Sequence, residues 1–292
     1  MKQAIELRRL RDFGQIITDS FTFLKENFKP LFIYLLITCG FFIVLGTITS
    51  VFAYMKMTSI FSFNLSSYGA QSYSLSYILS VLINAFILIL TQAFIHLITI
   101  CYISVYVQKN NSQPELAEVW GYFKYYFFRV LGSSILLIIL SVIGFMLCII
   151  PGIYLMPVFY LIIPIIVIEN TSFSYAFNKS FRLIKDNWWL VFGVIFITSL
   201  IVGVASSFVS LPITVITMGS KFLSLKSYTL PLLIIFSFLR NILMLAYALP
   251  AIAICLCYFN LAEQKDATGL LDRIEKLGKN NDDNSSLPAE QY

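Results

Sequence analysis

The sequence predicts an all-α fold: a polytopic membrane bundle of about six transmembrane helices, arranged as three hairpins that are each preceded by a cytoplasmic interfacial amphipathic helix. Three observations predict it. Of 292 residues, 59% are hydrophobic and 12% charged, with a mean hydropathy of +0.83, a composition that belongs in lipid. Six runs, about 30–55, 76–107, 127–149, 152–168, 188–211 and 230–259, are apolar enough to cross a bilayer, since a spanning helix needs roughly 20 mostly apolar residues. None alternates apolar and polar residues as a membrane barrel strand does. Finally, one aromatic and basic pattern recurs ahead of spans one, three and five.

Charge sets the expected orientation. With the N-terminus in the cytoplasm, sixteen of the 20 Lys and Arg residues fall inside, and Lys56, Lys221, Lys226 and Arg240 stay outside, as the positive-inside rule asks. All 15 acids fall on the inner side too, with Glu169 at its boundary. The expected location is the cell (inner or plasma) membrane, with both termini cytoplasmic.

Residues 1–29 read as a charged, mostly helical lead-in. The apolar run after Lys29 is far longer than a signal h-region and no A-x-A-like site closes it, so it is expected to stay as a start-transfer helix. Arg8, Arg9 and Arg11 beside Leu7, Leu10 and Phe13 either hold this arm against anionic headgroups or form an ordinary basic flank. The external loop 56–75 is Ser-rich and holds no acid, His or Cys, which excludes a metal site or hydrolytic machinery there.

Span two carries Asn84, Gln92, His96 and Thr99, and the last three share one helical face. That face is expected to look into the bundle, because polar groups facing lipid are costly. His96 is the chain's only histidine. It reads either as a proton or substrate contact or as an interhelical hydrogen bond to a Ser, Thr or carbonyl. A catalytic dyad would need a carboxylate at that depth, and the spans offer none.

Residues 115–126 read as an interfacial helix leading into span three, which Pro151 and Gly152 are expected to end in a tight reversal. Span four carries Pro157 and Pro164 on nearly one face. Each removes a backbone donor, and with Gln92 and His96 they outline a crevice suited to a small solute or lipid, the transporter alternative. Glu169 closes the span. It reads either as a flank exposed to headgroups and water, a candidate lipid or partner contact, or as the partner of a neighbouring Lys or Arg. The second is preferred, because a carboxylate at a helix C-terminus opposes the macrodipole and benefits from a cation.

The repeat is the main guide to architecture. Offsetting the chain by 160 residues places Phe21–Phe32 on Phe181–Phe192 and matches Ser20 with Ser180, Lys25 with Lys185, Asn27 with Asn187 and Thr38 with Thr198. A weaker middle copy holds Trp120, Phe123, Lys124 and Phe127, against Phe21, Leu24, Lys25, Phe28 and Phe181, Ile184, Lys185, Trp188. Units of about 13–107, 115–168 and 172–260 then make one membrane domain over 1–260, followed by a short cytoplasmic tail over 261–292.

With aromatics at headgroup depth and lysines in the polar layer, Lys25, Lys124 and Lys185 with Trp120 and Trp188 form a basic collar. Its expected partners are membrane lipids, anionic ones in particular at ~1 kcal/mol per cation, or a membrane or cytoplasmic protein. The plain alternative is anchoring. Neither catalysis nor a cofactor is implied.

Pro212 is expected to end span five, and the loop after it is free of acids. In span six, Arg240 reaches the outer interface if the lipid-crossing part begins near Leu239, which removes the need for a buried partner. If the helix begins near Pro231, Arg240 lies well inside and needs a partner, with no membrane carboxylate available; the first reading is preferred. Leu270, Leu271, Ile274 and Leu277 mark a short amphipathic helix in the tail. Cys39, Cys101, Cys148, Cys255 and Cys257 all lie in apolar runs and read as reduced core residues rather than metal ligands. No glycine pattern cradles a phosphate, and the net charge of +5 follows from membrane orientation without a nucleic-acid partner.

The run PGIYL from Pro151, then Glu169, Ala176, Ser180, Leu183 and Trp188, with FGQIITDSFTFLKENF from Phe13, resembles the bacterial family known as the glycerophosphoryl diester phosphodiesterase membrane domain. The likeness is clearest over residues 150–195. It implies a bundle of about six helices and a membrane-embedded accessory role. Enzyme-bearing members add a soluble phosphodiesterase barrel with His and acidic catalytic residues. This chain owns one His and ends 33 residues after Phe259, so the resemblance implies no phosphodiesterase activity.

Overall fold

A computed structural model describes residues 6–60, 75–109, 111–147, 149–219 and 226–266. The described residues form helices and connecting turns with no strand. They are α1 (Phe13–Glu26), α2 (Phe28–Ile60), α3 (Leu75–Gln108), α4 (Leu116–Leu147), α5 (Ile149–Ile168), α6 (Phe173–Ile184), α7 (Trp188–Gly219), α8 (Lys226–Leu243) and α9 (Ala248–Asp266). A 3₁₀ turn, Met244–Tyr247, joins the last two. Six segments are long and apolar enough to cross a membrane: Phe28–Lys56, Leu75–Gln108, Leu116–Met146, Ile150–Ile168, Trp188–Ile216 and Thr229–Asp266. The chain is an integral membrane protein of the all-α class.

The axis of the bundle is α9. Every residue from Ala248 to Ala262 is buried, and α1, α3, α5 and α7 pack around it. Its sequence explains the position. The helix is apolar on all sides, and Ala248, Ala251, Ala253, Cys255 and Cys257 let neighbours approach closely, as small residues do in membrane packing. Large apolar side chains on the outer helices, such as Phe41, Phe128 and Phe208, are instead exposed, which suits contact with lipid. Cys39, Cys101, Cys255 and Cys257 are buried and unbridged.

Three antiparallel pairs, α2 with α3, α4 with α5 and α7 with α8, build the wall. Two short amphipathic helices precede α2 and α7. Their junctions fall 160 residues apart, with α1 and α2 starting at Phe13 and Phe28 and α6 and α7 at Phe173 and Trp188. Asn27 stops α1, its side chain donating to Phe23 O at 3.1 Å, and Asn187 occupies the matching break. Asn prefers such ends because its amide competes for backbone partners.

Several expectations are corrected here. Residues 115–126 form no separate interfacial helix; α4 runs unbroken from Leu116 to Leu147. The cause is readable, since the middle copy has Tyr125 and Tyr126 where the others have Glu26–Asn27 and Asp186–Asn187. Pro151 and Gly152 do not end span three. They sit in the first turn of α5, where a missing donor is harmless.

Gly152 instead serves close packing, because a Cβ there would lie 2.5 Å from the ring of Phe145 on α4. Pro212 does not end span five either, as α7 continues to Gly219; membrane helices tolerate proline where neighbours satisfy the freed carbonyl. The tail helix expected at Leu270–Leu277, the middle of loop 56–75, the loop at Lys221 and Cys148 lie outside the described residues.

Candidate functional site

The start of α7 and the end of α9 meet α1 and α6 at one end of the bundle. At α1, Arg11 donates its backbone N–H to Asn260 Oδ1 at 2.9 Å, and Phe13 packs so near Gly193 that a Cβ there would stand 3.0 Å from its ring. The Arg11 side chain has no exposure. It donates to Asp19 Oδ2 at 2.8 Å, to Leu7 O at 2.6 Å and to Glu6 O. Burial lowers its pKa and the Asp19 carboxylate opposes that. Arg11 therefore ties the lead-in to α9 and is not presented to headgroups.

A second cluster joins α5, α6 and α9. Lys179 Nζ lies 2.7 Å from Glu169 Oε1 and 3.0 Å from Asp266 Oδ2, with only 9% of its side chain exposed. Tyr258 donates its hydroxyl to the same Glu169 oxygen. Burial pulls the Lys179 pKa down, but hydrogen bonds to Glu169 and Asp266 outweigh it and hold the ammonium above the ordinary lysine value. Arg182 adds a contact to Asp266 at 3.1 Å, Lys265 pairs with Asp186 at 2.9 Å, and Asn187 donates to Gln264 at 2.9 Å. Glu169 thus has the cation its position called for.

Lys179 went unnoticed in the sequence, although a signal was there. Ala176, Ser180 and Leu183 mark the buried face of α6, and Lys179 stands on it three residues from Ala176 and four from Leu183. Trp188 is placed differently from expectation. Its indole N–H donates to Tyr154 O at 2.9 Å and its ring stacks on Tyr154. Tyr154 lies near the start of α5 and Glu169 just past its end, so α6 runs back alongside α5 rather than lying flat at a boundary. The outward-facing indole is that of Trp189, at 78% exposure.

The three collar lysines are all exposed: Lys25 in the last turn of α1, Lys124 on α4 and Lys185 just after α6. Lys124 sits 5.4 Å over the ring of Trp120, itself stacked on Phe123. Of the crevice residues, Gln92 and His96 are in contact. Gln92 Nε2 and His96 Nε2 are 3.1 Å apart, so the histidine's partner is on its own helix rather than across an interface. The His96 ring faces Tyr160 of α5 at 6.4 Å, between the buried Pro157 and Pro164. Among the described residues no group of three or more His, Cys, Asp or Glu side chains is disposed to hold a metal ion.

No protein-family model, curated protein or solved structure matches the chain. The family resemblance rests on the residues quoted for it above.

Proposed function

We propose that the end formed by α1 and α6 faces the cytoplasm of the cell membrane, and that the protein gathers anionic lipids there without catalysing a reaction. One observation carries this reading. Among the other cations of that end, Arg9, Arg11, Lys109, Lys179, Arg182 and Lys265 are held by carboxylates at 2.6–3.1 Å, Arg129 donates to Asn170 Oδ1 at 2.9 Å, and Lys29 is exposed as the collar lysines are. Lys25, Lys124 and Lys185 are exposed and make no ion pair among the described residues. Charges spent on each other lock helices; these three, with Lys29 close to Lys25 in sequence, are left for a headgroup.

Native mass spectrometry of wild type against the triple Lys25→Ala, Lys124→Ala, Lys185→Ala variant tests it, after extraction with phosphatidylglycerol. The variant is expected to retain less lipid at an unchanged melting temperature. Identical adducts would return the lysines to plain anchors, and a protein lost in place of lipid would assign the collar to a partner. A second reading, transport of a small solute or lipid, is favoured by His96, in contact with Gln92, facing Tyr160 of the proline-bearing α5. Liposome flux that survives His96→Ala would remove it.

A further inference from the structure

We propose that the opposite end of the bundle holds a phosphate site centred on Arg240, occupied by the headgroup of an anionic lipid in the leaflet at that end. The sequence supplies the first reason. No Asp or Glu occurs from residue 27 to 114 or from 187 to 262. These stretches contain all of α2, α3, α7 and α8, and α9 as far as Ala262. Arg240 is therefore a guanidinium, always charged, in a region where the chain offers no carboxylate to meet it.

Geometry supplies the second. Asn241 lies against Gly46 of α2, where a Cβ would stand 2.8 Å from its Oδ1. Arg240, the preceding residue, donates from Nη1 to Tyr54 Oη at 2.6 Å, two turns or roughly 12 Å further along α2. The side chain thus reaches away from the centre of the bundle. Tyr54 is 26 residues past the start of α2 at Phe28, roughly 39 Å along it. Counted from Phe28, a hydrocarbon core of about 30 Å ends before Tyr54, which puts the guanidinium in the outer part of the bundle, with the apolar span of α8 continuing outward to Thr229.

Polar groups gather along the same stretch. Gly46, Ser50 and Tyr54 form one line on α2 at four-residue spacing. Asn84 of α3 donates to Ser50 Oγ at 2.8 Å and Thr49 Oγ1 at 3.0 Å. Asn241 donates to Ser237 O at 2.8 Å, and the Ser237 hydroxyl is buried without a partner. Tyr54 accepts from Arg240, so its own proton is free to donate. Guanidinium has five donors in a planar fork that matches phosphate oxygens, and Tyr54 takes one of them. Phe238 and Leu239, just before Arg240, are exposed, which gives acyl chains an apolar wall beside the headgroup.

The test uses the full chain extracted with phosphatidylglycerol and compares wild type, Arg240→Gln and Tyr54→Glu by native mass spectrometry. Tyr54→Glu keeps the arginine but hands it an internal carboxylate. Wild type is expected to hold one more phosphatidylglycerol than either variant, an occupancy drop of about five- to tenfold for one ionic headgroup contact. Diacylglycerol, which lacks the phosphate, should not fill the site, and inorganic phosphate should not empty it. Equal occupancy in wild type and either variant overturns the proposal. Displacement by inorganic phosphate alone would overturn the lipid and leave a soluble anion. Both variants leave the lysine collar intact, so this result and that of the collar stand apart.

Discussion

The two ends of this bundle handle charge in opposite ways. At the end built from α1, α6 and the tip of α9, cations and carboxylates meet each other: Arg11 with Asp19, Lys179 with Glu169 and Asp266, Lys265 with Asp186. At the other end Arg240 meets a phenol and no carboxylate among the described residues, and no acid lies within the helices that surround it. Where a chain supplies both signs, ion pairs fix its helices against one another. Where it supplies one, the surroundings must provide the other.

The largest test of that contrast is Lys179→Met. Breaking a buried pair leaves an uncompensated charge and costs a few kcal/mol, and the partly exposed carboxylates here reduce that to about 2 kcal/mol. Two carboxylates would then share the end of α9 with no ammonium between them. The melting temperature in detergent should fall clearly, and adding Glu169→Gln should recover part of the loss. An unchanged melt would mean that α6 is held by its apolar face alone.

The same lysine sharpens the comparison through pH. Its folded pKa is raised above the ordinary 10.5, so its contribution is complete below that value and is lost as pH climbs through the raised one. Wild type should therefore lose stability on the alkaline side relative to Lys179→Met, with the two curves converging as the ammonium deprotonates. Parallel curves from neutral pH upward would show that the cluster contributes nothing.

How much of this was legible in the sequence depends on the range of each signal. The six apolar runs and the amphipathic α1 and α6 are local patterns, and local chemistry fixes them. The breaks at Asn27 and Asn187 were legible for the same reason. The absence of one in α4 was equally readable, in Tyr125 and Tyr126, but the repeat's other features masked it. Pro151, Gly152 and Pro212 misled because their usual roles in soluble turns do not hold inside packed membrane helices.

Pairings between distant segments left no local trace. Lys179 meets Asp266 across 87 residues, and Arg11 meets Asn260 across 249. The central place of α9 was hinted at by its small residues. The pairing of Trp188 with Tyr154, which left Trp189 facing outward, was not. Of the candidate site, the exposure of Lys25, Lys124 and Lys185 followed from their helix faces. That six neighbouring cations are spent on carboxylates needed the fold.

The smallest expected effect is the one on which the collar's test depends. Lys124 rests over Trp120 on an exposed surface, where a cation–π contact contributes roughly 0.5–1 kcal/mol. Lys124→Ala should therefore barely move the melting temperature. Trp120 keeps its stacking on Phe123, so the helix surface beneath should hold its shape. If the single variant nevertheless sheds phosphatidylglycerol in native mass spectra, the loss belongs to recognition and not to unfolding. If the melting temperature instead falls as far as it does for Lys179→Met, Lys124 supports the fold. The difference between a charge that locks helices and a charge left for lipid would then vanish at this position.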